Sequence, residues 1–151
     1  MDLEYFRKKN LVKVVKPDLD LIDALIRTSE KKRLSSDQLE LSDITASSKL
    51  TLAYDSLREL LEAAAIKSGL KIYNHEAYTP FIQEILKDSN LAVRFDQFRK
   101  IRNSVNYYGG DLNSKEAEPL IKEIKAAIQK LMVMLKGNNH KSNQNKHYSP
   151  K

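Results

Sequence analysis

The residues best suited to chemistry lie in one short basic and aromatic segment, 99–110, which reads RKIRNSVNYYGG. If the segment is helical, residues three and four apart share a face. Arg99, Arg102 and Asn106 then line one stripe, with Phe95 one turn before them. Paired guanidinium groups bind a phosphate in fixed geometry, and neighbouring tyrosines can stack on bases. The segment therefore predicts an anion-binding site.

The same stripe also has a purely structural interpretation. Two arginines beside an apolar face are costly unless they meet partners. The long second helix offers three carboxylates for this purpose, namely Asp55, Glu59 and Glu62. An anion site needs Arg99 and Arg102 in a cleft without carboxylates already pairing them. A structural role instead needs one of those acids within salt-bridge reach.

Side chains suited to metal or cofactor chemistry are few. The chain has no cysteine, which excludes disulfides, thiolate metal sites and cysteine nucleophiles. His75, His140 and His147 fall in a predicted loop and a predicted tail, outside any Glu-x-x-His or His-Glu-x-x-His pair. A Walker loop, a dinucleotide fingerprint and a Gly-x-Ser-x-Gly elbow are also missing. We therefore expect neither a metal nor a cofactor.

The net charge of +6 is concentrated at the two ends of the chain. Residues 1–17 carry five basic side chains against two acidic ones, and residues 137–151 carry three lysines and no acid. Residues 18–136 hold 18 basic and 18 acidic side chains and are neutral. We expect a basic N-terminal arm and a disordered basic tail. Such ends suit weak contact with a polyanion, although solvated tails are the simpler interpretation.

Hydrophobic spacing predicts helices over most of residues 18–136, where Gly and Pro are scarce. The predicted helices are 18–33, 42–68, 81–86, 91–107 and 114–136, with an extended piece at 11–15 and a loop at 70–79. The segment 34–42 is either a connection or a kinked continuation of the first helix. Asp18 provides a start signal and Gly69 an end signal. The stripe expected to face the core on 91–107 is Leu91, Phe98, Ile101, Val105 and Tyr108.

These elements predict an all-α fold, an antiparallel four- to five-helix bundle. The apolar face of the second helix is wide enough to suggest a homodimer. No apolar run is long enough to span a membrane, and the N-terminus lacks the pattern of a secretory signal. We therefore expect a cytoplasmic protein without a membrane contact.

The long helix LAYDSLRELLEAAAIKSGLKI, followed by a loop and a helix ending RNSVNYYG, resembles the HEPN superfamily. The resemblance covers roughly residues 18–136. It implies a small antiparallel helical bundle that is usually homodimeric. Many members of the superfamily are metal-independent ribonucleases, including toxins of prokaryotic toxin–antitoxin pairs. A nucleotidyltransferase-type antitoxin is then an expected partner.

The HEPN motif is an Arg followed, after four to six residues, by a His, and it fits this chain in two registers. A polar residue often follows the Arg, and a Tyr often lies two residues after the His. In the first register Arg102 is the motif arginine and Asn103 the polar residue. Tyr107 then stands in place of the His. This register implies Arg102 and Tyr107 as the catalytic pair of an active member.

In the second register Arg99 is the motif arginine, Asn106 stands in place of the His, and Tyr108 is the trailing Tyr. Neither register contains a histidine, the side chain that carries protons near neutral pH. Asn does not titrate, and a Tyr with its ordinary pKa of about 10 would need strong perturbation. His75 is the one candidate in the predicted ordered region that can supply an imidazole.

The sequence thus predicts a HEPN-like domain that binds RNA or another phosphate-bearing ligand, as a variant or inactive relative of toxin ribonucleases. The predicted binding residues are Arg99, Arg102, Asn103, Asn106 and Tyr108, near the cleft of a homodimer. The alternative is a non-catalytic homodimeric helical interaction protein with structural arginines. An active metal-independent ribonuclease that uses Tyr107 is a third possibility.

Overall fold

The fold is a bundle of helices with a two-stranded sheet beside it. The computed structural model describes residues 1–145, with side chains as far as residue 137. The elements in chain order are α1 (Leu3–Lys8), β1 (Val12–Val14), α2 (Leu19–Gln38), α3 (Ala46–Lys67), β2 (Leu70–Ile72), a 3₁₀ turn (His75–Ala77), α4 (Tyr78–Glu84), α5 (Ser89–Tyr107) and α6 (Ser114–Asn145). This content confirms the all-α class. None of the described helices combines the length and hydrophobicity that a bilayer crossing demands.

α3 is the central helix and packs against α2, α5 and α6. Leu57 and Leu61 are fully buried, and small residues such as Ala53 and Ala63 let the neighbouring helices approach closely. A helix that is apolar on most of its circumference belongs in a core. The wide apolar face that suggested a dimer is therefore covered within the chain itself.

Three element ends follow the local signals in the sequence. Asp18 caps α2, where its carboxylate accepts the Leu21 N–H at 3.1 Å. Asp88 caps α5 in the same way and accepts the Leu91 N–H at 3.0 Å. Gly69 follows α3 with φ +82°, a conformation that favours glycine. The predicted start of α2 and end of α3 are thus confirmed.

The N-terminal residues 1–17 fold onto the bundle. The extended piece predicted at 11–15 is confirmed as β1, which pairs antiparallel with β2. α1 has no counterpart among the predicted helices. Its residues Leu3 and Phe6 are buried. The Leu3 N–H also donates to Oε2 of Glu84 at 3.0 Å. Basic side chains of this segment are therefore held at defined positions.

α2 and α6 run several residues beyond residues 33 and 136. α2 continues into the segment 34–42 as far as Gln38, and the buried Ser36 hydroxyl anchors it by donating to the Lys49 carbonyl at 2.9 Å. α6 runs past Gly137 to Asn145, so the helix end predicted at that glycine is wrong. A glycine inside a helix costs about 1 kcal/mol without breaking it. The rest of the predicted tail, 146–151, lies outside the described residues.

Candidate functional site

α5 carries the predicted anion-binding stripe, and most of its core face is placed as the spacing predicts. Leu91 and Phe98 are buried. Ile101 and Val105 are half-buried and pack against the same core. The apolar contacts of α5 therefore fix which side of the helix its arginines occupy.

Two aromatic residues of this segment lie elsewhere than predicted. Phe95, assigned to the arginine stripe, is fully buried and stacks on Tyr54 with ring centroids 5.6 Å apart. Tyr108, assigned to the core, is 81 % exposed. The prediction for Tyr108 is wrong because α5 ends at Tyr107 and the chain turns away at Gly109, which has φ +72°.

Arg102 lies at the centre of the site between two tyrosine rings. Its guanidinium carbon is 5.5 Å from the ring centroid of Tyr54 and 5.3 Å from that of Tyr107, within cation–π range. Nη1 donates to the Tyr107 hydroxyl at 3.0 Å, and Nη2 lies 3.5 Å from Oδ1 of Asp55. Only 15 % of the side chain is exposed. The contact with Asp55 is one of the pairs predicted for a structural arginine.

Arg99 pairs with carboxylates other than the predicted ones. Its Nη2 donates to Asp96 at 2.8 Å, and its Nη1 lies 3.9 Å from Oε1 of Glu76. Glu59 and Glu62 on α3 are engaged by other basic side chains instead. Arg99 and Arg102 thus each have a carboxylate neighbour. Such pairing favours a structural role for the two arginines.

Asn106 ties the end of α5 to α3. Its Nδ2 donates to Oγ1 of Thr51 at 3.1 Å and to the Arg102 carbonyl at 3.0 Å. Asn103 is half-buried, and Tyr107 is 65 % exposed. The last two turns of α5 therefore hold these predicted site residues together, with Tyr107 as the outer wall beside Arg102.

Sequence reasoning missed Arg58, which comes from the facing helix α3. It follows Tyr54 by four residues and Asp55 by three, so it shares their face. Its Nη1 lies 3.0 Å from Oε1 of Glu62, and its Nη2 lies 3.9 Å from Oε2 of Glu59. The same helical spacing that groups Arg99 with Arg102 on α5 therefore identifies Arg58 on α3.

His75 reaches the same arginines from the 3₁₀ turn. Burial of its ring is the main reason that its pKa falls to about 4, and the positive charges of Arg58 and Arg102 lower that pKa further. Arg99 acts in the same direction, whereas the carboxylate of Glu62 opposes it. The imidazole is therefore neutral at pH 7. We call Arg58, Arg99, Arg102 and His75 the arginine cluster.

Several buried donors at the cluster have no hydrogen-bond acceptor among the described residues. They are the hydroxyl of Tyr54 and the Nε atoms of Arg99 and Arg102. Burial raises the pKa of Tyr54 to about 12, so its hydroxyl remains a protonated donor. A buried donor without an acceptor costs about 1–3 kcal/mol. This surplus of donors favours a ligand that is rich in acceptors, as a phosphate is.

The basic and aromatic side chains of the arrangement are suited to binding an anion. Arg102 and Tyr107, the catalytic pair implied by the resemblance, are hydrogen-bonded to each other. The amide of Asn106 is occupied by its contacts with α3 and α5. With a pKa of about 4, the imidazole of His75 is too weak a base to carry protons near neutral pH. The described residues contain no cluster of three or more side chains suited to holding a metal ion.

Comparisons with known proteins leave the family of the chain open. No protein-family model, curated protein or solved structure matches it. The resemblance to the HEPN superfamily therefore rests on the sequence pattern alone.

Proposed function

We propose that this chain is a HEPN-like domain that binds RNA, or another phosphate-bearing ligand, at the arginine cluster. One observation carries the proposal: the guanidinium group of Arg102 lies between the rings of Tyr54 and Tyr107, and Asp55 contacts it through one nitrogen at 3.5 Å. Arg58 on α3 and Arg99 on α5 add positive charge to the same region. Positive charges attract a phosphate.

Arg102 is the residue best placed to contact the ligand. A guanidinium group has five N–H donors, and Asp55 and Tyr107 each engage one of its nitrogens. Asp55 contacts Arg102 through a single nitrogen at 3.5 Å, which orients the group without closing its planar fork. A phosphate oxygen can replace the Tyr107 hydroxyl, and the exposed ring of Tyr107 can stack on a base.

The proposed activity is binding, because the motif histidine of the resembled family is replaced in this chain. Asn106 and Tyr107 stand at the two positions where that histidine would fall. A homodimer and a nucleotidyltransferase-type antitoxin partner belong to the same proposal. The exposed rings of Tyr107 and Tyr108 offer a second copy a contact surface at the end of α5.

The substitution Arg102→Lys tests the proposal, because lysine keeps the charge but loses the planar fork. We expect RNA binding to weaken by about 1.5–3 kcal/mol, the value of a hydrogen bond to a charged group, with little change in melting temperature. Arg27→Lys, at an exposed position on α2, is the matched control and should bind as the wild type does. Unchanged RNA affinity in Arg102→Lys contradicts the proposal.

A second function is favoured by the ion pair between Arg102 and Asp55. In a non-catalytic homodimeric interaction protein this pair is structural. Arg102→Ala then strands the Asp55 carboxylate and lowers the free energy of unfolding by roughly 2–3 kcal/mol, somewhat less than for a fully buried pair. Unchanged RNA binding together with a much lower melting temperature would support this function and overturn the first.

A further inference from the structure

The outer face of the sheet carries two lysines around one exposed tyrosine. Lys13 on β1 lies directly opposite Lys71 on β2. Both ammonium groups lie over the ring of Tyr73, with Nζ of Lys13 5.6 Å and Nζ of Lys71 6.0 Å from its centroid. Tyr73 itself is 55 % exposed. We call these three residues the Lys–Tyr platform.

Stability of the sheet does not account for this arrangement. Like charges directly opposite each other on neighbouring strands repel, and cation–π contacts at an exposed ring are weak. Glu62 lies 3.3 Å from Nζ of Lys71, but none of the ion pairs of the described residues includes the exposed Lys13. An anion between the two ammonium groups would relieve their repulsion.

The Lys–Tyr platform borders the arginine cluster. Tyr73 precedes His75 by two residues, so their Cα atoms lie within about 7 Å of each other. Glu62 also contacts both regions, with one oxygen 3.3 Å from Nζ of Lys71 and the other 3.0 Å from Nη1 of Arg58. The two regions are therefore neighbours, joined through the carboxylate of Glu62.

We propose that the RNA at the arginine cluster is single-stranded and continues onto the Lys–Tyr platform, where a base stacks on Tyr73 and a phosphate lies between Lys13 and Lys71. This inference rests on the proposed function. Aromatic rings stack on any base, and basic side chains follow the backbone of a single strand. A duplex keeps its bases stacked inside and offers none to Tyr73. The proposed ligand is therefore a single strand of several nucleotides.

The test measures binding of the full chain to a fluorescein-labelled single-stranded oligouridylate and, separately, to inorganic phosphate. Tyr73→Ala should weaken oligouridylate binding about tenfold, as expected for the loss of one base stack, and leave phosphate binding unchanged. Tyr73→Phe keeps the ring and should bind like the wild type. Tyr5→Ala is the matched control, because Tyr5 is also exposed with Nζ of Lys9 5.1 Å from its ring centroid, but lies on α1.

A second variant, Lys13→Gln, separates loss of binding from misfolding, since Lys13 is exposed on the sheet. It should weaken oligouridylate binding about threefold and make binding less dependent on salt, as loss of one phosphate contact requires. Its melting temperature should equal that of the wild type. Unchanged affinity in both Lys13→Gln and Tyr73→Ala overturns the inference.

The outcomes separate this inference from the function on which it rests. If Arg102→Lys loses binding while Tyr73→Ala does not, the proposed function stands and the platform is no part of the site. If Tyr73→Ala loses binding while Arg102→Lys does not, the arginine-cluster site and the continuous path both fall. Equal affinity for a blunt RNA duplex, or equally effective competition by polyglutamate, overturns the assignment to single-stranded RNA.

Discussion

Two polar layers flank the central helix α3, and the layer that faces α2 has a partner for each of its buried groups. Glu59 is 5 % exposed, accepts a hydrogen bond from Oγ1 of Thr28 at 2.5 Å and pairs with Lys32. The Ser29 hydroxyl donates to the Ser56 carbonyl at 2.9 Å, and the Ser56 hydroxyl donates to the Ser29 carbonyl at 2.8 Å. Such reciprocal contacts hold two helices in register.

The layer that faces α5 is incomplete. The Tyr54 hydroxyl and the Nε atoms of Arg99 and Arg102 lack acceptors among the described residues. Hydrogen-bond satisfaction therefore distinguishes these two layers. Substitutions in the complete layer should change stability, and substitutions in the incomplete layer should change binding.

The largest effect is expected from Glu59→Ala in the complete layer. The change leaves Lys32 and Thr28 without their buried partner, removes the 3.9 Å contact with Arg58, and should lower the free energy of unfolding by about 3 kcal/mol. RNA affinity should fall less than in Arg102→Lys. Urea unfolding measures the stability. Glu30→Ala, which removes a more exposed partner of Arg33, is the control and should cost less than about 0.5 kcal/mol. A loss of RNA affinity in Glu59→Ala as large as that in Arg102→Lys would erase the distinction between the layers.

His75 should make the stability of the chain depend on pH. The ring is protonated below about pH 6.5 in the unfolded chain but only below about 4 in the folded one. Between these values the unfolded chain binds more protons, so stability falls as the pH decreases from 6.5 to 4. We expect a loss of about 2–3 kcal/mol, allowing for the solvent that reaches the half-buried ring.

Urea unfolding at several pH values measures this loss, and His75→Gln should remove it. Stability above pH 6.5 should be affected much less by the substitution. If the free energy of unfolding had the same pH dependence in the variant and the wild type, groups other than His75 would be responsible for it.

A pair of hydroxyl deletions compares the two layers directly. Ser56→Ala removes a hydroxyl that is hydrogen-bonded to Ser29 and should destabilise the chain by about 1–2 kcal/mol. Tyr54→Phe removes a hydroxyl without an acceptor and should leave stability unchanged or raise it by up to about 1 kcal/mol. Thermal melts measure the stability of the two variants. Equal destabilisation by Ser56→Ala and Tyr54→Phe would contradict the difference between the two layers.

The smallest effect on stability is expected from removal of residues 138–151. Leu135 is the last buried core residue of α6 among the side chains that the structure describes, and residues 138–151 are mostly polar, so the melting temperature should change little. RNA binding should weaken slightly and lose part of its salt dependence, because the deletion removes Lys141, Lys146 and Lys151. A large drop in melting temperature would show that the removed segment packs against the bundle.

Local signals in the sequence predicted the fold well because they act within one helical turn. The caps at Asp18 and Gly69 needed only neighbouring residues, and so did the core positions of α5. Helical spacing alone does not predict where a helix ends, and Tyr108 was placed wrongly because α5 ends at Tyr107. Spacing also does not predict how wide the buried face is, and Phe95 was placed wrongly because that face includes it. Short α1 also carries a local signal, which was overlooked: the carboxylate of Asp2 caps the helix by accepting the Tyr5 N–H at 2.9 Å.

The candidate site was predictable only in part. The α5 residues and the carboxylate of Asp55 follow from helical spacing, because three or four residues define one face. Arg58 shares the α3 face of Asp55, so the same spacing could have identified it. His75 joins the site through the approach of the 3₁₀ turn to α5, a distance that no local pattern contains. The Lys–Tyr platform likewise depends on strands that are distant in sequence.

The pairing of β1 with β2 also has a consequence for the order of folding. The strands join residues 12–14 to residues 70–72 and so enclose α2 and α3 in one large chain loop. Closing such a loop is entropically unfavourable until the enclosed helices have formed and packed. We therefore expect the α2–α3 hairpin to assemble first. The amides of Val15 and Tyr73, which donate to the carbonyls of Gly69 and Leu11 across the strand pair, should then exchange with solvent before those of α3.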